Sequence, residues 1–454
     1  MRGLALICPR CGRRFSVGEQ TVCPEHESGP DSCEPADSDD SPQDVDPVQG
    51  DLSQPVDTGD GGDRPTLELV YDLDTLREMY DPTCAMRTDI WRYQPFLPVD
   101  GPPVTLGEGW TALATASNLG EDLGVTLSLK LEDANPTGAT KDRGTAVVAT
   151  YARERSYDTL ACASTGNAAA STAAYAAHGG LSCSLFVPGQ LPEPKAIQPL
   201  VYGADIHRIE GVYGDAVERC RQVVNEHNWV DRSAGASPYA PAGARTLGFE
   251  LAEQTSGYGD RDETTTARQN EMGVPEWVVV PVGNGGTIAG VWEGFQTFFD
   301  LGYVEATPRM LGVQAADVST IHDAFQTGRD TADSGNDSHG NDTGDSGQTE
   351  TTATTTTTCA DSIAVSRPHH RREACAALAE SGGDSVTVSD AAILESIRRL
   401  GRTEGVFAEP ASASVVAGIE TARESGIIDA GDRVVAVITG TGLKDPASVL
   451  DSFG

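Results

Sequence analysis

Lys141 stands where a lysine amine could do chemistry. Only four lysines occur in the 454 residues, and Lys141 lies in the turn between two predicted elements. A short apolar strand (residues 125–131) and a Pro/Gly turn precede it, and a helix rich in Ala and Val (144–153) follows. Such a turn can hold an amine in a cleft, which suits covalent attachment of an aldehyde cofactor. An exposed loop lysine would fit this stretch equally well.

Two turns rich in small residues could bind anions. The first, Ser164-Thr165-Gly166-Asn167 (the serine turn), follows a predicted strand and opens a helix, so its N–H groups suit a carboxylate or phosphate. Ordinary N-capping would explain it as well. The second, Gly283-Asn284-Gly285-Gly286-Thr287 (the glycine turn), has three glycines in four positions and suits a small terminal phosphate. A flexible glycine turn is the alternative.

The last predicted strand ends in Thr439-Gly440-Thr441-Gly442-Leu443-Lys444-Asp445. The Thr439 hydroxyl could serve as a neutral hydrogen-bond partner for a heteroaromatic nitrogen, although a terminal turn would also account for it. Lys444 is a rival to Lys141, but the adjacent Asp445 favours an ion pair. An amine, an anion-binding turn, a phosphate turn and a hydroxyl at four strand ends are what pyridoxal phosphate requires.

Four residues near the N-terminus have the spacing of a metal site. Cys8 and Cys11 form one C-x2-C pair, and Cys23 and His26 repeat the spacing after eleven residues. This pattern predicts a small zinc ribbon with a structural rather than catalytic zinc ion. A ribbon that has lost its metal, or one in which Cys33 replaces His26, remains an alternative.

Predicted strands and helices alternate between residues 125 and 438. The strands are nearly continuous apolar runs, which is typical of parallel sheets covered on both faces. The sequence therefore predicts an α/β fold of two doubly wound, three-layer units. We expect a zinc-ribbon-like segment (1–35), an acidic disordered linker (36–64), a first unit with the lysine and serine turn (65–240), and a second unit with the glycine turn (241–454) that carries a disordered insertion at about 326–358.

The charge balance disfavours two classes of binding partner. Sixty-eight acidic against 32 basic residues give a formal charge of −36, which disfavours nucleic acid and anionic membranes. This balance resembles that of salt-adapted (halophilic) proteins. No apolar run approaches the length of a membrane span, so we expect a cytoplasmic protein. Ten cysteines in such a chain indicate metal ligation or burial rather than a disulfide scaffold.

In its motifs the chain resembles the threonine synthases and their relatives in the fold-type II (tryptophan synthase β-like) pyridoxal-phosphate enzyme family. The matching segments, in family order, are Gly107-Glu108-Gly109, residues 135–144, the serine turn, the glycine turn, Glu409-Pro410-Ala411-Ser412-Ala413 and residues 439–446. They extend over residues 66–450. The ribbon-like start and the segment 67–72 also look like the amino end of many microbial members.

The resemblance implies a role for each of these residues. Lys141 would be the Schiff-base lysine and would move protons at the substrate's α- and β-carbons, Asn167 would bond the cofactor's ring hydroxyl, and Thr439 would meet its pyridine nitrogen. The backbone of Gly283, Asn284, Gly285, Gly286 and Thr287 would hold the cofactor phosphate. Ser164 and Thr165 are candidates for substrate contacts. Family members are often dimers, so a homodimer is one expectation, although the sequence does not fix the oligomeric state.

The chain departs from the family at two places. Members usually carry His where this chain has Thr441, and Asn-Pro-aromatic-Arg where it has Ser237-Pro238-Tyr239-Ala240. That arginine helps to hold the substrate phosphate, and a guanidinium is its natural partner. Either Arg245 or another arginine replaces it, or the chain acts on a different amino acid.

Three functions therefore stay open. The first is a lyase of threonine-synthase type, which converts O-phospho-L-homoserine and water to L-threonine and phosphate. The second is a paralogue that performs β-elimination or β-replacement on serine, threonine or phosphoserine, as dehydratases and cysteine or cysteate synthases do. The third, a non-catalytic binding protein that kept the fold, is disfavoured by the intact Lys141 and glycine turn.

Overall fold

The computed structural model describes residues 3–18, 21–23, 66–83, 86–189, 193–256, 274–328, 358–444 and 446. Its strands are β1 (Leu4–Ile7), β2 (Arg14–Phe15), β3 (Glu68–Tyr71), β4 (Leu113–Thr115), β5 (Thr126–Leu131), β6 (Thr159–Ala163), β7 (Ser182–Pro188), β8 (Asp205–Ile209), β9 (Trp229–Asp231), β10 (Trp277–Pro281), β11 (Arg309–Ala315), β12 (Asp384–Val388) and β13 (Arg433–Ile438). Its α-helices are α1 (Leu73–Met79), α2 (Ser117–Leu123), α3 (Lys141–Glu154), α4 (Asn167–Gly179), α5 (Glu193–Val201), α6 (Tyr213–Glu226), α7 (Tyr239–Ser256), α8 (Gly286–Asp300), α9 (Thr320–Thr327), α10 (Arg371–Glu380), α11 (Asp390–Arg399) and α12 (Pro410–Glu424).

A small parallel sheet carries the serine turn. Its strand order is β8-β7-β6-β9, and all pairs are parallel. Strand β6 is buried along its whole length, as its apolar sequence predicts for a strand covered on both faces. Leu160 and Cys162 face the core formed with α3 and α4, whereas Ala161 and Ala163 face α6.

A larger sheet carries the glycine turn and the Thr439 turn. Its order is β12-β11-β10-β13-β5-β4, parallel except for the antiparallel edge strand β4. Helices α2, α11 and α12 cover one face. Helices α7, α8 and α10 cover the other face. Both sheets are therefore the centre of a three-layer α/β arrangement, as predicted.

The division expected at residue 240 does not match the membership of this sheet. Strands β4 and β5 precede that residue, yet β5 pairs with β13, which places Lys130 opposite Val437. The apolar pattern of β5 fits a buried strand in either sheet, and its partner lies about three hundred residues away in the chain. Local patterning cannot select between two such partner strands, so tertiary packing determines which strand pairs with β5.

The N-terminal segment forms a third sheet, of antiparallel order β2-β1-β3. Strand β1 pairs with β3, beyond the expected linker, with Leu6 opposite Leu69. Leu6 and the first cysteines share a core with α3 and α4.

Other expectations fall outside the described residues. The acidic linker is one of these segments, and the insertion is another except at its ends, because α9 includes Gln326 and Thr327. No helix among the described residues combines the length and apolar character that crossing a membrane requires.

Candidate active site

Lys141 is the first residue of α3 and lies against the end of β13. Thr140 donates its backbone N–H to the carbonyl of Thr439 (2.9 Å), and Thr441 donates to the carbonyl of Gly138 (3.0 Å). Gly138 has a φ of +83°, and a Cβ there would lie 2.7 Å from the Thr441 side chain. A glycine is therefore needed for this close approach. These contacts place the lysine at the carboxyl edge of the large sheet, where α/β folds bind ligands.

The surroundings of Lys141 favour its neutral amine. The side chain is half-buried, and burial together with the nearby Arg232 guanidinium lowers the pKa of Lys141 to about 8. Glu409 acts in the opposite direction without cancelling the shift. An amine with this pKa is a competent nucleophile and base near neutral pH.

Asn167 and Glu409 connect the two sheets across the site. The Asn167 amide donates to both carboxylate oxygens of Glu409, at 3.1 and 2.9 Å. Glu409 is buried, its N–H donates to the carbonyl of Gly440 (3.0 Å), and burial raises the pKa of its carboxyl group. In the sequence Glu409 stands out only as part of a motif, because its contact with Asn167 is not visible from spacing.

Two neutral hydroxyls lie at the end of β13. The Thr439 and Ser412 side-chain oxygens are 2.8 Å apart, and Ser412 accepts the N–H of Gly440 (2.8 Å). Ser412 thereby orients the Thr439 hydroxyl in a nearly buried position. This pair is uncharged, as the resemblance requires of the pyridine partner.

The glycine turn joins β10 to α8. Gly285 is the N-cap, with a φ of +87°, and α8 has no side-chain cap. Its first N–H groups therefore remain for an anion. A Cβ at Gly283 would lie 2.6 Å from the carbonyl oxygen of Ser362, and one at Gly285 would lie 2.5 Å from that of His370. The glycines thus also allow the segment 362–370 to pack on the turn.

His370 is a site residue that the sequence analysis missed. Its N–H donates to the carbonyl of Asn284 (2.9 Å), and its ring would be 3.1 Å from a Cβ at Gly286. Burial and the neighbouring His369 lower the pKa of His370 to about 4, and the charge of Lys141 acts in the same direction. The ring is therefore neutral at pH 7. The only signal in the sequence is the His369-His370 pair.

The serine turn lies on the Lys141 side of the small sheet. It follows β6 directly and opens α4, whose N-cap Gly166 provides no side-chain hydrogen bond. Ser164 and Thr165 are half-buried. Asn167, in the same turn, donates hydrogen bonds to the Glu409 carboxylate. Through Asn167 this turn is connected to Glu409, which acts on Lys141 and bonds to Gly440 next to Thr439, and we refer to these residues together as the candidate site.

Arg245 contacts residues outside the candidate site. Its guanidinium forms an ion pair with Glu293, donates to the carbonyl of Leu69 (2.8 Å) and covers the Tyr71 ring at 5.1 Å. These contacts hold it against β3 and α8. Arg245 therefore does not replace the arginine that family members usually carry at the position of Ala240.

Lys444 is the second amine near the site. Its Nζ is buried and has no hydrogen-bond partner among the described residues. Asp445, the partner expected from the sequence, lies outside them. Burial lowers the pKa of Lys444, whereas Glu409 and Asp142 act in the opposite direction.

Three of the four predicted metal ligands lie together. The sulfur atoms of Cys8, Cys11 and Cys23 are within 4.8 Å of one another and buried. His26 and its alternative Cys33 lie outside the described residues.

Comparison with known proteins supports this picture. Residues 104–440 match the family described as "Pyridoxal-phosphate dependent enzyme". The chain is 35% identical to a threonine synthase of Methanocaldococcus jannaschii over 85% of its own length and 88% of that protein. It is 33% identical to one of Methanosarcina acetivorans, with 85% and 87% covered. It is 36% identical to one of Synechocystis sp., with 82% and 87% covered.

Solved structures share the fold. A fungal L-serine ammonia-lyase from Rhizomucor miehei superposes with a TM-score of 0.58 at 18% identity, covering 75% of this chain and 96% of that one. The processed form of threonine deaminase isoform 2 from Solanum lycopersicum gives 0.54 at 19% identity, covering 76% and 84%. The expected α/β fold of fold-type II (tryptophan synthase β-like) is thereby confirmed.

The donor set also fits the cofactor, since the uncapped N-terminus of α8 suits a phosphate, and a lysine with a lowered pKa and a neutral hydroxyl lie in the same cleft. On its sequence match and its site, this chain belongs to the family of pyridoxal-phosphate dependent enzymes.

Proposed function

We propose that the protein is a threonine synthase, a carbon–oxygen lyase that converts O-phospho-L-homoserine and water to L-threonine and phosphate. The observation that carries the proposal is Lys141, a half-buried lysine with a pKa lowered to about 8 that lies against the end of β13, beside Thr439. The similarity to threonine synthases of three organisms over four-fifths of the chain or more supports the same substrate.

Each residue of the candidate site has a separate role in the proposed reaction. Bound pyridoxal phosphate supplies an electron sink for negative charge at the substrate carbons. The glycine turn would hold its phosphate, Asn167 would bond to its ring hydroxyl, and Thr439 would bond to its ring nitrogen. Lys141 would anchor the cofactor, and its amine would then take one proton from Cα and one from Cβ of the substrate. Phosphate leaves from Cγ, which gains a proton. Water adds its hydroxyl at Cβ and gives its other proton to the phosphate, and a proton returns to Cα.

The serine turn is the proposed site of the substrate carboxylate. The first N–H groups of α4 are uncapped, and the Ser164 and Thr165 hydroxyls lie beside them. Both provide donors for a carboxylate.

A second candidate is a paralogue that acts on serine, threonine or phosphoserine by β-elimination or β-replacement. Ala240 favours it, because the arginine expected at that position is absent and Arg245 faces elsewhere. The names of the structural relatives, which include a serine ammonia-lyase and a threonine deaminase, are compatible with this chemistry.

An assay with purified protein in high salt and added pyridoxal phosphate separates the two. We expect phosphate and threonine to be released in equal amounts from O-phosphohomoserine. Lys141→Ala is the control and should abolish both the release and the visible absorbance of bound cofactor. Retention of that absorbance in the variant would refute the role of Lys141. Absence of release from the wild type, with absorbance present, would indicate the paralogue, and serine, threonine and phosphoserine would then be tested.

We further propose that the three clustered cysteines bind a structural zinc ion with His26 or Cys33 as the fourth ligand. Closely placed buried thiols of C-x2-C spacing are typical zinc ligands. Metal analysis of the purified protein should find one zinc ion per chain and less in Cys23→Ser. The matched control is Cys183→Ser, a buried cysteine outside the cluster. Folded wild-type protein without metal would overturn this site.

The setting of the enzyme is also a proposal. We infer a cytoplasmic homodimer that binds a small amino acid, because the relatives are biosynthetic enzymes by name. Light scattering of the purified protein in high salt should give twice the chain mass of 47.6 kDa. A mass of one chain would exclude the dimer.

A further inference from the structure

Arg232 is a buried arginine beside Lys141. Its side chain is almost fully buried. Its Nε donates to the Thr145 hydroxyl (2.9 Å), and its Nη2 donates to the carbonyl of Lys141 (3.3 Å). A guanidinium has five N–H donors, so most of them remain unused by these two bonds.

Arg232 forms no ion pair with a residue in the part of the chain that the structure describes, although the carboxylates of Asp142 and Asp231 lie near enough to act on its charge. Other buried arginines behave differently, since Arg143 contacts both Glu132 and Glu250. A buried charge without a partner is unfavourable. Its presence beside a reactive lysine is accounted for if a ligand supplies the negative charge.

The position of Arg232 joins it to the serine turn. Its N–H donates to the carbonyl of Ala161 in β6 (2.8 Å), and the next residue, Ser233, accepts the N–H of Ala163 (2.8 Å). Ala163 directly precedes the serine turn. The backbone of Arg232 therefore lies beside the strand that leads into the serine turn, and its guanidinium bonds to the first residues of α3.

Gly144 shows how close Arg232 comes to Ala240. A Cβ at Gly144 would lie 3.3 Å from the Arg232 Nη2 and 2.7 Å from the carbonyl oxygen of Ala240. The guanidinium, which follows β9 in the chain, thus comes near the backbone of the residue where an arginine was expected.

We propose that Arg232 binds the phosphate on the side chain of the substrate and so selects α-amino acids that carry a phosphate monoester. Its planar guanidinium can donate two parallel hydrogen bonds to two phosphate oxygens. The serine turn next to it receives the α-carboxylate, and Lys141 lies between the two anions. This inference rests on the proposed function for the identity of the phosphorylated amino acid.

Lys444 is the rival for this role. Its Nζ is buried without a hydrogen bond among the described residues. The carboxylates of Glu409 and Asp142 act on its charge, as those of Asp142 and Asp231 act on Arg232. It is also a single point charge without the two-pronged geometry of a guanidinium. Lys444→Met is therefore included in the test.

The experiment compares wild-type holoenzyme with Arg232→Met, Arg232→Lys and Lys444→Met. The matched control is Arg219→Met, the same change at an exposed arginine of α6. Steady-state kinetics with O-phosphohomoserine at one fixed KCl concentration give kcat and KM, and inorganic phosphate is the competitive probe. We expect Arg232→Met to raise KM and the phosphate inhibition constant roughly 10- to 100-fold, as loss of a charged hydrogen-bond pair predicts. Arg232→Lys should be intermediate and Arg219→Met unchanged.

Three results would overturn the inference. The first is a fall in kcat with both constants unchanged, which would make Arg232 only a positioning residue for Lys141. The second is wild-type behaviour of Arg232→Met. The third is loss of phosphate inhibition in Lys444→Met instead. If Arg232→Met does not retain cofactor, Arg232→Lys decides by the same two constants.

Failure of the proposed function gives a different result. Wild-type holoenzyme would then release no phosphate from O-phosphohomoserine. Arg232 can still be tested in that case, because inorganic phosphate bound beside Lys141 should change the visible absorbance of wild-type holoenzyme. The change should be lost in Arg232→Met, and an equal change in both proteins would refute the anion site.

Discussion

The reactivity of Lys141 depends on which charges surround its amine. Burial and Arg232 lower its pKa, and Glu409, which is bonded to Asn167, raises it. The serine turn therefore influences the lysine indirectly, since Asn167 fixes the carboxylate that faces it.

The lowered pKa predicts the pH dependence of cofactor attachment. Only the neutral amine reacts with an aldehyde, so the rate at which apoenzyme binds pyridoxal phosphate should rise with pH and level off above about 8. A lysine with its ordinary value of 10.5 would show a rate that still rises at pH 10. Stopped-flow absorbance between pH 6 and 10 measures this. In Arg232→Met the midpoint should move upwards, and an unchanged midpoint would show that Arg232 does not act on the amine.

At the level of elements, glycines set the distance between α7 and α8. A Cβ at Gly294 would lie 2.5 Å from the carbonyl oxygen of Arg245 and 2.8 Å from the Cα of Gly248. The two backbones are thus in direct contact. This contact holds α8, and with it the glycine turn at its N-terminus, against α7.

Gly294→Ala should therefore destabilise the protein. The added methyl group meets backbone atoms that cannot rotate away, so we expect a loss of about 1–3 kcal/mol in the free energy of unfolding. Urea unfolding of holoenzyme at fixed salt measures it. The matched control is Gly214→Ala in α6, where a Cβ meets nothing within 4 Å. Equal stability of the two variants would contradict the close packing.

A buried charge network connects β5, α3 and α7. Arg143 in α3 contacts Glu132 after β5 (2.6 Å) and Glu250 in α7 (2.8 Å), and Glu250 also pairs with Lys130. Burial alone would raise the pKa of Glu132, but the positive charges of Arg143 and Lys130 lower it to about 2. The stabilisation from this carboxylate is present above its ordinary value of 4.5 and is lost as the pH falls towards 2.

Arg143→Met should remove the centre of this network. Two buried carboxylates would lose a partner, which costs about 3–5 kcal/mol. Denaturant unfolding at pH 7 tests the loss, and the double variant Glu132→Gln, Arg143→Met should recover part of it. A double variant no more stable than the single one would argue against the pairing as the cause.

The whole molecule carries a formal charge of −36. Like charges at this density repel one another in the compact state, and salt screens the repulsion. The thermal midpoint of the holoenzyme should therefore rise between 0.1 and 2 M KCl. The rise should be smaller near pH 4.5, where many carboxylates are neutral. A midpoint that is independent of KCl at pH 7 would contradict salt adaptation.

The sequence by itself determined the motifs at the strand ends and the α/β class. It also singled out Lys141 as the candidate Schiff-base lysine. These features depend on local patterns, because a buried strand followed by a turn of small residues specifies its own geometry. The turns that hold Lys141, Asn167 and Thr439 can therefore be recognised from the sequence alone.

Only the tertiary structure decided which residues complete the site. The bond between Asn167 and Glu409 joins residues far apart in the chain, and β5 pairs with β13 over a similar separation. By residue type, Arg245 and Arg232 are equally suited to bind the substrate phosphate. Packing turns Arg245 towards Glu293 and leaves Arg232 beside Lys141. The physical reason is that such contacts depend on how whole elements pack, and no local pattern in the chain encodes that packing.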